Sequence, residues 1–246
     1  MNDEIYAGSE LARAILASSR ELRRELPPPR GCPFYGLDHD MSYPIAWLHA
    51  LSSQGIFRKY EFVLELESGL GGRARWAAHH FGCRVLGVEP ERERAAIAAQ
   101  LGKYSKTLGE AVFCAGKLVA LPFRDGVFTH AWWLWPRHRE PDRCLREAFR
   151  VLRDGGYLAW VVPSDPMACA RAERLACEAG FVTTEIRRLE GELEAAWVAL
   201  AKKRMERMIR SSEPVFARLM ARSSHHNGVG SWALLFARRS ARQRGT

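Results

Sequence analysis

Between Phe62 and Val162 the chain alternates short apolar runs with amphipathic stretches of helical period. Phe62–Leu66, Arg84–Val88, Ala111–Cys114, Val127–Leu134 and Tyr157–Val162 are predicted strands, short and rich in β-branched and aromatic residues. Arg73–Phe81, Glu91–Leu101 and Asp142–Leu152 are predicted helices; the last places Leu145, Ala148, Phe149 and Leu152 on one side. Asp154-Gly155-Gly156 predicts a turn leading into the fifth strand. Strands alternating with helices across short turns build a parallel sheet covered on both faces. Right-handed crossovers then make it doubly wound.

The flanks elaborate this core. Glu4–Leu26 has helical periodicity, with Leu11, Ile15, Leu16, Leu22 and Leu26 broadly on one face, and Pro27-Pro28-Pro29 ends it. An irregular aromatic stretch, Cys32–Pro44, precedes a helix at Ile45–Ser52. Beyond the core, Pro166–Ala179 is helical with Gly180 as its C-cap, and Phe181–Arg187 is a sixth strand. Glu190–Arg222 reads as helical, and Ser231–Arg238 as a last strand. That order predicts an antiparallel hairpin at the sheet edge, with the insertion as a lid. The expected division is an N-terminal helical cap (1–60), a core (61–188), a lid insertion (189–230) and a last strand with a basic tail (231–246), all one domain.

The net charge is +9, which changes little. Only six of the 37 basic residues are lysine, and the arginines are scattered among alanines along helices. A solvated charged surface explains this better than a nucleic-acid face, although Lys202–Arg210 and Arg238–Arg244 are denser. No target-base motif of the N-P-P-F/Y kind is present. No apolar run is long enough to span a bilayer. The six cysteines form no C-x-x-C and have no histidine at zinc-ligand spacing. Buried thiols in a reducing cytoplasm, with no metal, are the expectation. Met1–Glu25 is charged and helical, unlike a secretory signal.

Candidate chemistry concentrates at the end of strand one. Val63–Gly72 reads V-L-E-L-E-S-G-L-G-G, a strand entering a glycine-rich turn that opens a helix. Such a turn cradles a nucleotide-type cofactor. Three further blocks follow in order: V-L-G-V-E-P (Val85–Pro90), A-L-P-F-R-D-G-V-F (Ala120–Phe128) and L-R-E-A-F-R-V-L-R-D-G-G-Y-L (Leu145–Leu158). With these four blocks the chain resembles the class I S-adenosylmethionine-dependent methyltransferases, in the small-molecule branch containing sarcosine/dimethylglycine and sugar-O methyltransferases. The resemblance covers roughly Phe62–Arg238 and implies a Rossmann-like α/β sheet of seven strands with an antiparallel last strand.

It also implies roles for individual positions. Ser68, Gly69 and Gly71 would cradle the methionine half of S-adenosylmethionine, and Glu65 would hold its amino end. Glu89, followed by Pro90, would take the ribose hydroxyls; a helix-start acid is the plainer reading of Glu89. Leu118, with Val119, would sandwich the adenine, and Leu134 at the end of strand four is a further cofactor-binding candidate. Three positions depart from the family pattern. Glu67 stands at the first glycine, Lys117 replaces the acid that accepts from adenine, and Arg139 replaces a histidine that acts as general base. Lysine donates only and arginine cannot act as a base at neutral pH. His138, one residue earlier, is then the candidate catalytic base, against the plainer reading of an exposed loop histidine. A Glu67–Lys117 salt bridge across the cleft is an expectation of this pattern. Trp132, Trp133 and Trp135 read as core, with one tryptophan near the strand end lining or blocking the pocket. Asp165 is a displaced acid after strand five.

Two functions remain open at this level. One is a divergent methyltransferase acting on the nitrogen or oxygen of a small molecule. The other is a degenerate relative that does not bind S-adenosylmethionine. It would serve as a non-catalytic partner of an active methyltransferase chain or bind another ligand. A homo-oligomer is compatible with either.

Overall fold

The computed structural model describes residues 2–39 (except 26 and 29), 48, 51, 58–189 (except 106–108, 135 and 137) and 232–240. Among them are five helices and seven strands. The strands are β1 (Phe62–Leu66), β2 (Arg84–Glu89), β3 (Glu110–Ala115), β4 (Phe128–Trp133), β5 (Leu152–Pro163), β6 (Phe181–Leu189) and β7 (Trp232–Arg239). The helices are α1 (Asn2–Glu25), α2 (Gly72–Phe81), α3 (Arg92–Gly102), α4 (Pro141–Val151) and α5 (Pro166–Glu178). They form one sheet in the order β3-β2-β1-β4-β5-β7-β6. β7 runs antiparallel to both β5 and β6, whereas the β3-to-β5 half is parallel. The α/β class and the antiparallel last strand are as the sequence indicates.

Alternation along the strands splits the core into two faces. Leu64, Leu66, Trp133, Leu158 and Trp160 face α4 and α5, which contribute Leu145, Ala148, Ala172 and Ala176. Val63, Val85, Trp132, Leu134 and Val161 face α2, which contributes Ala74, Ala77 and Ala78. A third cluster joins Leu11, Ala12 and Ile15 of α1 to Ile97 and Leu101 of α3, with Phe34 and Leu70 between them. Of the expected α1 stripe, Leu11, Ile15 and Leu22 are buried, whereas Leu16 is only partly so.

One expected boundary is corrected. Asp154-Gly155-Gly156 is not a turn before the fifth strand; β5 already begins at Leu152. Pairing with β4 steps from Phe128↔Leu152 to His130↔Tyr157, so the three residues form a bulge in a continuous strand. Gly155 supplies the left-handed conformation the bulge needs, at φ 74°. Of the expected helix at 45–52, only Leu48 and Leu51 are described, and both are helical. The lid stretch 190–222 and Trp135 lie outside the described residues.

The order of the strands sets where a ligand can sit. The chain runs outward from β1 to β3 and then returns to the other side of β1 as β4. The carboxyl ends of β1 and β4 therefore flank a switch point, where open α/β sheets bind ligands. Glu67 follows β1 at that point, and Leu134 follows β4.

Candidate cofactor and active site

The turn after β1 is fully buried from Glu65 to Gly72. Gly69 and Gly71 adopt left-handed backbone, at φ 58° and 81°. A side chain at Gly71 would also collide with the Phe113 ring, 2.3 Å from an added Cβ. Position 71 therefore needs glycine on two counts. Glu67 is left-handed too, at φ 55°, which is uncommon for a residue with a side chain. Its carboxylate turns to β4, where the Trp133 indole N–H donates to Oε2 at 2.7 Å. Its backbone carbonyl accepts from Arg73 Nη2 at 2.9 Å. On the α4 side, burial foremost and then the Glu67 charge push the Cys144 thiol up to about 12.

Glu65 lies at the end of β1 with its side chain buried and paired to Arg73, Nε to Oε1 at 2.6 Å. Arg73 is the second residue of α2, so the helix start brings a guanidinium back over the strand end. The expected ligand for an amino group is thus held by a cation of the chain itself. Glu89 is fully buried. Its Oε2 accepts from Gly69 N at 2.8 Å and its Oε1 from Glu91 N at 3.1 Å. Glu91 is the N-cap residue of α3, so the plainer reading of Glu89 as a helix-start acid holds as well. The same carboxylate also locks the glycine turn to β2.

The remaining candidates scatter. Leu118 is buried in the α4–α5 face and Leu134 in the α2 face. Pro90 and Lys117 are exposed. The expected Glu67–Lys117 salt bridge does not form: Glu67 bonds to Trp133, and no ion pair joins the two charges among the described residues. His138 is half-buried, and its Nδ1 accepts from the Glu140 backbone N–H at 3.1 Å just before α4. In the neutral ring the proton then sits on Nε2, so this arrangement holds His138 as a donor. Arg139 is exposed. Asp165 caps α5, accepting from Ala168 N at 2.9 Å. Among the described residues Trp133 is the tryptophan that reaches the site, and it stacks on Trp160 with centroids 5.6 Å apart.

Two residues near the turn escape sequence reasoning. Asp38 accepts from Gly72 N through its carbonyl and binds Arg75 through its carboxylate, at 2.9 Å. His39 packs against Gly72 so closely that an added Cβ would lie 2.5 Å from its ring. Only the D-H pair in an aromatic stretch hints at them. None of the candidates lines the cleft at the edge between α3 and β3, formed by Ala99, Gly102, Lys103, Ser105 and Gly109 to Phe113. No group of metal-binding side chains occurs among the described residues, and none of the six cysteines is in a disulfide.

The residues fit a nucleoside cofactor on three observations. The glycine turn is left-handed where a ligand must approach. The Glu89 carboxylate is fixed beside it. The Ser68 hydroxyl is buried within the turn without a hydrogen-bond partner.

Residues 64–160 match the methyltransferase domain family. Sarcosine/dimethylglycine N-methyltransferase of Halorhodospira halochloris is 35% identical over 115 residues, 44% of this chain and 39% of that enzyme. The chain thus spans about two fifths of that relative's length. The [4+2]-cyclase SpnF superposes with a TM-score of 0.61 at 18% identity, covering 79% of this chain and 81% of that one. Haemonchus contortus phosphoethanolamine N-methyltransferase 2, solved with phosphomonomethylethanolamine and S-adenosylhomocysteine, gives 0.59 at 17% identity, covering 80% and 53%. A cyclase among these structures means that the fold alone does not name a reaction. The sequence match runs through the glycine turn, Glu89 and β4: residues 64–160 of this chain match the methyltransferase domain family, and that core is similar to named methyltransferases.

Proposed function

We propose that this protein transfers a methyl group from S-adenosylmethionine to the nitrogen or oxygen of a small molecule. The observation that carries the reading is the Glu89–Gly69 bond, which joins the ribose-type acid of β2 to the glycine turn of β1. Glu89 would accept from the ribose hydroxyls, and Gly69 and Gly71 would let the backbone approach the methionine half. Leu118 would pack against the purine and Leu134 would wall the cleft. Lys117, which cannot accept, would leave the adenine amino group to other acceptors.

The cofactor supplies an electrophilic methyl group when bound. The chain's own contribution is alignment and exclusion of water, which suffices for in-line transfer to a neutral amine. This favours an amine acceptor, because the local bond to Glu140 N occupies the Nδ1 lone pair of His138. His138 would act as a base only after that bond opens. The N-methyltransferases among the compared proteins support the amine. A catalytically silent relative finds no support there.

Titration calorimetry with S-adenosylmethionine and S-adenosylhomocysteine tests the cofactor. Labelled-methyl transfer onto a panel of small amines and alcohols then tests the acceptor class. Failure of both ligands to bind at millimolar concentration overturns the reading.

A further inference from the structure

Arg75 is the fourth residue of α2 and is wholly buried. A guanidinium in that position is destabilising unless its charge and its donors are matched. Nε and Nη2 reach Asp38 Oδ2 at 3.0 and 2.9 Å. Nη2 also donates to the carbonyl of Leu70 in the glycine turn, and Nη1 to that of Ala98 in α3 at 3.1 Å. The ring centres of Phe34 and Phe113 lie 5.5 and 5.2 Å from the guanidinium carbon. A Cβ added at Gly71 would come within 2.9 Å of Nη1, so the cation sits directly behind the turn. One side chain therefore joins the turn, α3 and the segment that carries Asp38.

Asp38 closes the contact from the other side. Its carbonyl accepts from Gly72 N at 3.2 Å, one of the donors that the start of a helix leaves without a helical partner. Its carboxylate is buried, with Arg75 on Oδ2 and no hydrogen bond on Oδ1. The segment around it is tightly coiled: the N–H groups of Tyr35, Leu37 and His39 bond to the carbonyls of Cys32, Phe34 and Gly36. Tyr35 is left-handed, at φ 57°. Among the described residues Tyr35 and Glu67 are the two with side chains in this backbone, one in the segment and one in the turn it clasps. Such residues persist where surrounding contacts over-determine them, and they cluster at ligand sites and switch regions. Neither charge can stay buried alone. With Asp38 withdrawn, Arg75 would be an uncompensated cation in the core. It would turn towards water and release Leu70. The fraction of molecules with the segment docked then scales the apparent affinity of the turn for a ligand.

We propose that Arg75 is a positioning residue for the cofactor, and that with Asp38 it forms a clasp: the glycine turn holds its ligand-accepting shape only while the segment from Cys32 to His39 is docked. The proposal rests on the methyltransferase reading. It makes cofactor affinity depend on a stretch that precedes the core in sequence and lies outside the glycine turn.

The test is calorimetry with S-adenosylmethionine and S-adenosylhomocysteine, well below each melting temperature, on the full chain and three variants of it. Asp38→Asn removes the anion but keeps the shape. Arg75→Lys keeps the cation but not the fork. The double variant Asp38→Leu, Arg75→Met leaves no charge buried, so it should melt close to the wild-type chain. Both ligands should weaken on the order of tenfold in the single variants, as for a turn competent in a tenth of the molecules. The factor should be the same for both, because their amino acid end is common. In the double variant the melting temperature should recover while the affinity stays low. A merely structural pair would let the two recover together, so recovery of both overturns the proposal. Unchanged affinity in any folded variant overturns it too, as does a loss confined to one ligand; in each case the cofactor reading stands. No binding by the wild-type chain removes the cofactor reading itself, and the proposal with it.

Discussion

Glu89 accepts two backbone hydrogen bonds before any ribose reaches it, and this double duty makes it testable. Glu89→Gln leaves one acceptor oxygen where there were two, so either Gly69 or Glu91 loses its partner. The expected result is a loss of roughly 1–3 kcal/mol of stability, typical of an orphaned buried donor. Cofactor affinity should fall on the order of tenfold or more, since hydrogen bonds to a charged acceptor are the strong ones. A denaturant titration and calorimetry read the two effects separately. Trp133→Phe keeps the aromatic packing on Trp160 but removes the donor to Glu67. It should cost about 1–3 kcal/mol and cost less in a Glu67→Gln background, since the acceptor left behind is then uncharged. This pair was not legible in the sequence. Its partners lie 66 residues apart, and only the side-by-side placement of β1 and β4 brings them together. Glu67, by contrast, stood out in the sequence because glycine is the residue such a turn requires. The chemistry of Lys117 was equally legible, but its exposure was not, because a motif fixes position along the chain and not the direction of a flexible side chain.

At the level of elements, the central strands were readable to within a residue or two because both their faces are buried. β4, for example, is buried at every position from Phe128 to Trp133. β5 was misread at its start, where glycines that usually mark a turn instead support a bulge and pairing continues. The placement of Asp38 and His39 on the glycine turn was not readable, because it depends on how the cap docks and not on local pattern. Helix ends give a sharp test. The last carbonyls of a helix have no partner within it. Arg239 of β7 reaches α4 and donates through Nη1 to the carbonyls of Phe149 and Arg150, at 2.7 and 3.0 Å, and to that of Leu152. Replacing this buried arginine by methionine keeps much of its apolar stem and deserts those carbonyls. The expected cost is about 3 kcal/mol. It should be read as a lower urea midpoint with an unchanged slope, because the unfolded chain exposes the same surface.

On the scale of the whole molecule, the sheet carries a pH-sensitive node at the end opposite the glycine turn. His130 is buried beside Glu61, with Nδ1 3.4 Å from Oε2, and its ring lies on Tyr157. Thr129 Oγ1 is 2.9 Å from the same nitrogen, and Arg153 pairs with Glu61 at 3.5 Å. Burial lowers the His130 pKa to about 4, with Glu61 opposing the shift and Arg153 adding to it. Below about pH 6.5 the unfolded chain binds a proton that the folded chain refuses. Stability is therefore greatest above that pH and is lost as pH falls towards 4, by up to roughly 3 kcal/mol from this group. Melts at pH 7 and 4.5 should show a steeper drop for the wild-type chain than for His130→Phe. At the other end, Leu70 sits within the glycine turn yet belongs to the cluster that joins α1 to α3. The N-terminal helix thus packs behind the turn. A ligand that orders the turn should slow amide exchange in α1, and loosening α1 with Ile15→Ala should weaken the ligand, although Ile15 lies in another layer of the molecule.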